Sequence, residues 1–151
     1  MNPIASILSL DRTRCLINAS SKKKALEIIA ETIANTTTLE ARDIFDGMVA
    51  RERLGSTGLG RGIAIPHTRI DNINEPLGCF VSLQEGVEYH AEDNKPVDLL
   101  FALIVPTDAT EEHLQLLAAI ARLFRDETFN DKLRHCTSRT DLFQWILDAG
   151  N

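Results

Sequence analysis

The feature that most constrains the fold is a run of nine residues, 97–105, in which every side chain except that of Asp98 is apolar. Proline residues stand immediately before and after the run. A strand in which both alternating sets of side chains are apolar must be covered on both faces, as central strands of α/β proteins are. The run therefore predicts an interior strand of a sheet that has a layer of structure on each side.

The rest of the chain alternates between helical and extended patterns. In chain order, the predicted helices are 22–35, 40–53, 111–124, 129–135 and 140–149, and the predicted strands are 15–18, 63–65, 77–83 and 97–105. Ser21 and Thr38 are the expected N-caps of the first two helices. Helices and strands mixed in one chain of 151 residues predict a single α/β domain, residues 1–151, built around one sheet.

The chain carries an excess of acidic groups, with a formal net charge of −6 at pH 7. General nucleic-acid binding needs a basic face that neutralises phosphates, so the composition argues against that function class. The longest uncharged apolar stretch, 99–107, is about half of the roughly 20 residues that cross a bilayer. The first ten residues lack a signal-peptide pattern, and three widely spaced cysteines suit neither a disulfide framework nor a zinc site. We therefore expect a cytoplasmic protein without membrane insertion, metal or other cofactor.

A glycine-rich loop precedes the predicted strand 63–65, with glycines at 55, 58, 60 and 62. A P-loop requires two glycines five apart, followed by Lys and then Ser or Thr, whereas Arg61 and Gly62 follow Gly60. A dinucleotide-binding fingerprint requires a strand before the glycines and a helix after them, and here that order is reversed. Both nucleotide-binding interpretations therefore fail.

The loop and the short strand lead instead to His67, which directly follows Pro66. Groups at the carboxyl ends of strands line the ligand crevice of open α/β sheets, so we expect His67 at such an end. Hydroxyl and N–H groups suited to an anion precede it, on Ser56, Thr57, Gly58, Gly60 and Gly62. Guanidinium groups, which suit phosphate, are available from Arg51, Arg53, Arg61 and Arg69.

His113 is the second candidate, in the first turn of the predicted helix 111–124. The free N–H groups of a helix start attract anions. The apolar stripe of this helix, which we expect to face the core, consists of Leu114, Leu117, Ala118 and Ala121. His113 would then lie beside the stripe, near the rim of the core.

A histidine close to arginine and glycine residues suits one chemistry well. A neutral imidazole is a competent nucleophile, and phosphoryl transfer to it depends mainly on positioning and charge stabilisation. Two alternatives remain. One is a binding module that exchanges no phosphoryl group. The other is a metal-dependent hydrolase with His67, His90 and His113 as ligands, although no motif with metal-ligand spacing supports it.

Three segments make the phosphoryl-transfer interpretation more specific. They are residues 51–52 (Arg-Glu), 55–60 (Gly-Ser-Thr-Gly-Leu-Gly) and 62–67 (Gly-Ile-Ala-Ile-Pro-His). Together they resemble the signature of enzyme IIA components of the bacterial phosphotransferase system, of the fructose/mannitol/nitrogen type. The segment 93–106 with His113 after it resembles the nitrogen-regulatory branch, IIA-Ntr, and the likeness extends over nearly the whole chain.

The resemblance implies a mixed β-sheet flanked by helices on both faces. It also implies that His67 receives a phosphoryl group on its ε nitrogen from an HPr-like phosphocarrier, that His113 is the second active-site histidine, and that Arg51 helps to neutralise phosphate. Nitrogen-type members act largely as regulators, whose phosphorylation state sets the binding of target proteins; no residue here identifies those targets.

Two positions depart from the family pattern. Thr68 stands where relatives usually carry glycine, and its β-branched side chain is expected to crowd an incoming donor. Arg61 stands where relatives often carry a polar residue, and it is expected to place an extra cation close to the phosphoryl group.

Overall fold

The computed structural model describes residues 3–149, apart from the side chain of residue 112. These residues form six β-strands, five α-helices and a 3₁₀-helix at Leu10–Arg12. The strands are β1 (Thr13–Ile17), β2 (Gly58–Gly60), β3 (Ile63–Ala64), β4 (His67–Ile70), β5 (Leu77–Val87) and β6 (Val97–Pro106). The helices are α1 (Lys22–Ala34), α2 (Ala41–Glu52), α3 (Glu111–Leu123), α4 (Glu127–His135) and α5 (Arg139–Asp148).

All six strands belong to one mixed sheet in which β6 is the central strand. β6 pairs antiparallel with β5 on one side and parallel with β3 and β4 on the other. β1 extends the sheet parallel to β5, and β2 extends it antiparallel to β3. The predicted α/β fold with a mixed sheet is therefore confirmed.

The side chains of β6 alternate between two apolar cores, as the unbroken apolar run predicts. Leu100, Ala102 and Ile104 pack in the core formed with α1 and α2. Leu99, Phe101 and Leu103 pack in the opposite core, to which α3, α4 and α5 contribute. Helices therefore cover both faces of the sheet.

The predicted helices are found, with ends that differ by one or two residues. Ser21 is the N-cap of α1, because its side chain accepts a hydrogen bond from the Lys24 N–H at 3.1 Å. The predicted N-cap of α2, Thr38, is wrong. Glu40 occupies the N-cap position and makes no capping hydrogen bond with its side chain, and Thr38 lies two residues earlier. Strands β2 and β4 were not predicted, because glycine-rich and proline-adjacent segments lack the apolar alternation that identifies a strand.

Helix α2 approaches strand β4 closely where Gly47 faces Thr68. A Cβ atom on Gly47 would lie 2.7 Å from Thr68 Oγ1, 3.1 Å from its Cγ2 and 3.3 Å from its Cβ. Rotation of the threonine side chain cannot relieve all three contacts. The absence of a side chain at Gly47 is therefore what accommodates a branched side chain next to His67.

We expect Gly47→Ala to destabilise the protein. Overpacking costs about 1–3 kcal/mol, which exceeds the roughly 1 kcal/mol that alanine gains over glycine inside a helix. In a Thr68→Gly background the collision is absent, so the same substitution is expected to stabilise the protein by up to about 1 kcal/mol. Urea unfolding of the four proteins in this double-mutant cycle measures both effects. An equal effect of Gly47→Ala in both backgrounds would contradict the coupling.

Candidate functional site

His67 lies in an interrupted strand and not at the carboxyl end of one. β3 ends at Ala64 and β4 begins at His67, and both continue the same register along β6, with Ala64 opposite Leu100 and His67 opposite Leu103. Pro66 has no N–H to donate, so the ladder is broken there, but its carbonyl still accepts a hydrogen bond from the Leu103 N–H at 2.9 Å. The predicted end of the short strand at Pro66 is therefore confirmed, but the expected position of His67 is not: a proline removes one donor without preventing the next residue from rejoining the sheet, so His67 begins β4.

Hydrogen bonds on both ring nitrogens orient the His67 side chain. Nδ1 lies 2.8 Å from the carbonyl oxygen of Ile65, and a carbonyl only accepts, so Nδ1 carries the proton. Nε2 then has the free lone pair of a neutral ring and accepts a hydrogen bond from Arg51 Nε at 3.3 Å. This geometry assigns the tautomer in which Nδ1 carries the proton and Nε2 carries the lone pair.

Arg51 reaches His67 from the last turn of α2. Its Nη1 donates to the carbonyl oxygen of Gly55 at 2.9 Å, so the guanidinium group is held between His67 and the loop that follows the helix. Arg51 and His67 are therefore brought together as the sequence predicts. A guanidinium N–H directed at Nε2 is placed to meet an oxygen of any group bound to that nitrogen.

His67 and Arg51 line an open cavity of about 410 Å³ whose other walls are mainly apolar. The walls come from the glycine-rich loop, from the break between β3 and β4, and from helix α3: Thr57, Leu59, Ile65, Leu114, Leu117, Ala118 and Ala121. Arg51 is the one cationic side chain among the described residues that line the cavity. The site is thus an imidazole and a guanidinium group surrounded by hydrocarbon.

The apolar stripe of α3 lies between this cavity and the core. Leu117 and Ala121 line the cavity and also pack against the core, whereas Leu114 and Ala118 are exposed. Leu114 is 53% exposed, and Leu117 is half-buried. Leu116 and Ile120 complete the core side of the helix, with Phe124 directly after the helix. The prediction is therefore confirmed for Leu117 and Ala121 and wrong for Leu114 and Ala118, because helical spacing identifies a stripe without revealing how far the core covers it.

His113 is not among the residues that line the His67 cavity. Its Nδ1 accepts a hydrogen bond from the Thr110 N–H at 3.4 Å at the start of α3. Its side chain lines a second cavity, with Pro3, Ile7 and Pro76, and the two cavities share the helix residue Ala118. The structure therefore places His113 next to the site without joining it to His67, and its role stays a prediction.

The hydroxyl groups predicted to face phosphate are engaged inside the loop. Thr57 Oγ1 donates to a carboxylate oxygen of Glu52, and it lies 3.0 Å from the hydroxyl of Tyr89. Ser56 Oγ donates to the Tyr89 carbonyl at 3.2 Å and accepts from the Gly58 N–H at 3.1 Å. Protein groups therefore already use the hydroxyls of Ser56 and Thr57, and their contact with a ligand stays a prediction.

The glycine loop holds an anion that belongs to the protein itself. The N–H of Arg61 donates to Asp93 Oδ2 at 2.8 Å, and the N–H of Lys95 donates to its Oδ1 at 3.1 Å. The hydrogen bond from the Arg61 N–H is the main cause that lowers the pKa of the Asp93 carboxyl below its usual value. The predicted anion site at Gly60 and Arg61 is thus taken by Asp93.

The glycines of the loop allow close approach of other parts of the chain. A Cβ on Gly58 would lie 2.7 Å from the Cβ of Ala91, and a Cβ on Gly62 would lie 2.5 Å from Arg134 Nη2. Gly62 also has a φ of +84°, which favours glycine. Gly58 and Gly60 therefore serve the packing of the loop, and neither lines the His67 cavity.

Thr68 and Arg61, the two residues that depart from the family pattern, do not direct their side chains into the His67 cavity. The Arg61 guanidinium pairs with Glu127 of α4 at 3.2 Å, so the expected extra cation is directed to another contact. Thr68 directs its side chain at Gly47, and it does not line the His67 cavity. Both expectations are corrected, because each side chain finds a partner on an element distant in sequence.

Within residues 3–149, no group of three or more His, Cys, Asp or Glu side chains is arranged to hold a metal ion. The set required by the metal-hydrolase alternative is therefore not assembled, and His90 is instead an exposed residue beside Glu88. In the same part of the chain, none of the helices has both the length and the apolar character that crossing a bilayer demands.

Sequence reasoning missed two features of the site. Leu59 is 46% exposed at the rim of the cavity, although its position in a glycine-rich loop gave no reason to select it. Glu52 lies beneath the loop with its side chain only 7% exposed, in an ion pair with Lys22. The position of Glu52 directly after the candidate residue Arg51 could have drawn attention to it. Its ion-pair partner Lys22, however, lies far away in sequence.

We expect Asp93→Asn to loosen the loop in a pH-dependent way. The folded-state pKa of Asp93 is lowered, so its stabilising effect is present above the ordinary carboxyl pKa of about 3.9 and is lost as the pH falls through the folded value. The variant should therefore melt below the wild type near neutral pH, and the difference should narrow in acid. Thermal melts from pH 7 to pH 2 measure this, with Glu92→Gln as the neighbouring exposed control. A constant difference at all pH values would show that the carboxylate charge is irrelevant.

Comparison with known proteins gives a consistent family. A family model described as phosphoenolpyruvate-dependent sugar phosphotransferase system, EIIA 2, matches residues 6–149. The nitrogen regulatory protein of Escherichia coli K12 is 42% identical over 147 residues, which cover 97% of this chain and 90% of that protein. The nitrogen regulatory protein of Pseudomonas aeruginosa is 42% identical over 149 residues, which cover 98% of this chain and 97% of that protein.

The solved structures agree with the sequence comparisons. The crystal structure of nitrogen regulatory protein IIA-Ntr from Neisseria meningitidis matches with a TM-score of 0.87 and 36% identity, covering 95% of this chain and 98% of that one. The resemblance inferred from the residues around His67 is therefore confirmed. The chain belongs to the EIIA 2 family of the phosphoenolpyruvate-dependent sugar phosphotransferase system, and it is similar to the nitrogen regulatory proteins of that family.

Proposed function

We propose that the protein is a cytoplasmic phosphoryl carrier and regulator that accepts a phosphoryl group on Nε2 of His67. The observation that carries the proposal is the state of the ring: the Ile65 carbonyl holds the proton on Nδ1, and Nε2 faces the Arg51 guanidinium at the wall of an open cavity. Family members are phosphoryl-transfer components. The arrangement supplies the nucleophile and a counter-charge for the group that it receives.

The transfer is a displacement between two imidazoles. The lone pair of His67 Nε2 attacks the phosphorus atom of a phosphohistidine on the donor, and the donor N–P bond breaks with its electron pair returning to the donor ring. The Nε–H of Arg51, which points at Nε2, then donates to a phosphoryl oxygen. Phosphoryl transfer depends mainly on positioning and charge stabilisation, and these residues supply both.

The walls of the cavity favour a protein as the donor. A free phosphorylated metabolite would meet one guanidinium group and mostly hydrocarbon, which gives little affinity for a soluble polyanion. Leu59 and Leu114 are 46% and 53% exposed at the rim, and exposed apolar groups clustered around a polar centre are typical of protein–protein contacts. We infer an HPr-like phosphocarrier as the donor.

His113 is proposed to assist the phosphorylated state from the first turn of α3. It is half-buried, and its hydrogen bond to the Thr110 N–H, at 3.4 Å, is long. A small change at the start of α3 would release this bond, and Ala118 alone is common to the two cavities. The second histidine would then hold a phosphoryl oxygen without forming the bond to phosphorus.

We expect the protein to gain about 80 Da, the mass of one phosphoryl group, on incubation with phosphoenolpyruvate, enzyme I and an HPr-like carrier. His67→Ala should abolish the gain because the nucleophile is lost. His113→Ala should still reach the same final mass, at a lower rate or with a shorter-lived product. Intact-mass spectrometry over time measures all three.

The matched control is His135→Ala, which removes an exposed histidine on α4 and should leave the time course unchanged. If the wild type never gains the mass, the protein is a binding module that retains the fold without the transfer. If His113→Ala exchanges at the full rate, the second histidine has no part in the reaction.

The regulatory part of the proposal predicts different partners for the two states. A phosphoryl group adds about −1.5 to −2 charges at the cavity of an already acidic protein, which weakens docking to an acidic surface and strengthens docking to a basic one. Proteins retained from a bacterial extract by the phosphorylated wild type and by unphosphorylated His67→Ala should therefore differ, as quantitative mass spectrometry would show. Identical retained sets would contradict a signalling role.

A further inference from the structure

The mechanism described above leaves unused a buried acidic group behind the glycine loop. Glu52 is the last residue of α2, directly after Arg51, and its side chain is only 7% exposed. Its Oε1 accepts from the Thr57 N–H at 3.0 Å, and its Oε2 accepts from the Thr57 hydroxyl. Burying a carboxylate costs free energy unless the group is paired and hydrogen-bonded, so the partners of Glu52 must offset this cost.

Lys22 at the start of α1 supplies the pairing charge. Its Nζ lies 2.9 Å from Glu52 Oε1, donates to the Tyr89 carbonyl at 3.3 Å, and lies 4.2 Å from the centre of the Tyr89 ring. The Tyr89 side chain is fully buried. Since Thr57 gives its proton to Glu52, the Tyr89 hydroxyl donates to Thr57 Oγ1 at 3.0 Å. The four groups form one closed polar network.

This network fixes the loop that receives Arg51. Thr57 is attached to Glu52 through both its N–H and its hydroxyl, and Ser56 is attached to the Tyr89 carbonyl. Gly55, one residue earlier, presents the carbonyl that accepts from Arg51 Nη1 at 2.9 Å. The same guanidinium group donates from Nε to His67 Nε2. The position of Arg51 against the nucleophile therefore depends on where the loop is held.

We propose that Glu52, paired with Lys22, is a positioning residue that holds the loop 55–57 so that Arg51 contacts the Gly55 carbonyl and His67 Nε2 together. Glu52 does not line the His67 cavity and acts through Arg51. Its effect on the rate of transfer rests on the function proposed above, whereas its effect on the Arg51–His67 contact does not. The two consequences are measured separately.

The first measurement reports the contact itself. Glu52→Gln keeps the shape of the side chain but replaces an accepting oxygen by an NH₂ group, so it cannot accept both Thr57 hydrogen bonds and carries no charge for Lys22. In the ¹⁵N NMR spectrum of the full chain labelled at histidine, we expect the His67 Nε2 signal to shift as the hydrogen bond from Arg51 is lost. Glu27→Gln, which removes one carboxylate from the exposed pair with Lys24, is the control and should leave the signal unchanged.

The second measurement reports the reaction. Misplacing a positioned group by about 1 Å can cost on the order of a hundredfold, so we expect Glu52→Gln to slow phosphorylation by roughly tenfold or more while the final extent stays the same. Adding Glu52→Gln to a protein that already carries Arg51→Gln should not lower the phosphorylation rate further, because Glu52 acts only through Arg51. Thr57→Val, which removes the hydroxyl link to Glu52 at nearly constant volume, should slow the reaction in the same direction and covers the case that Glu52→Gln does not fold.

The outcomes separate the two hypotheses. An unchanged His67 Nε2 signal in Glu52→Gln, or additive losses in the double variant, would overturn the positioning role and leave Glu52 as a purely structural group. A wild-type protein that never takes up a phosphoryl group would overturn the proposed function, while the NMR comparison would still decide the role of Glu52.

Discussion

The structure depends on the burial of both faces of strand β6. Seven buried apolar side chains of β6 divide between two cores, one shared with α1 and α2 and the other with α3, α4 and α5. Each large apolar side chain that is fully buried in this way contributes about 1.5–3 kcal/mol, so the strand is anchored between the two cores. β3, β4 and β5 all take their register from this strand, and the position of His67 opposite Leu103 is one consequence.

The interruption of the strand at Pro66 allows the fixed register of the sheet to orient the imidazole of His67. Pro66 still accepts a hydrogen bond from Leu103, so the break does not detach the chain from the sheet. The Ile65 carbonyl, next to the break, accepts from Nδ1, and Arg51 donates to Nε2. The ring is therefore fixed by two hydrogen bonds whose partners are set by the sheet and by the end of α2, and this preorganisation suits the role of nucleophile proposed for it.

The sequence was sufficient for the elements with clear periodicity and for the pair His67 and Arg51. It was insufficient wherever a polar group had two potential partners. Thr57 and Arg61 were interpreted as ligands for phosphate, but Glu52 and Asp93 bind them within the fold. Whether such a donor binds a carboxylate of the protein or an external anion depends on distances in the folded structure, which the sequence does not provide. The stripe on α3 was predicted correctly in part, since Leu117 and Ala121 pack against the core but Leu114 and Ala118 are exposed at the cavity.

A nearly apolar site with one guanidinium group suits a carrier better than the phosphate-binding nest that the loop first suggested. A carrier of the kind proposed must give up the phosphoryl group as readily as it takes it, so its phosphorylated state cannot be much more stable than that of its donor. A hydrogen bond to a charged group contributes about 1.5–3 kcal/mol, which is roughly a factor of 10 to 100 in the transfer equilibrium. Several such bonds from Arg61, the loop N–H groups and two hydroxyls would trap the group on His67. The fold engages those donors with Asp93, Glu127, Glu52 and the Tyr89 carbonyl. A phosphoryl group on His67 would then keep one strong contact, from Arg51, and its release would depend on the incoming partner.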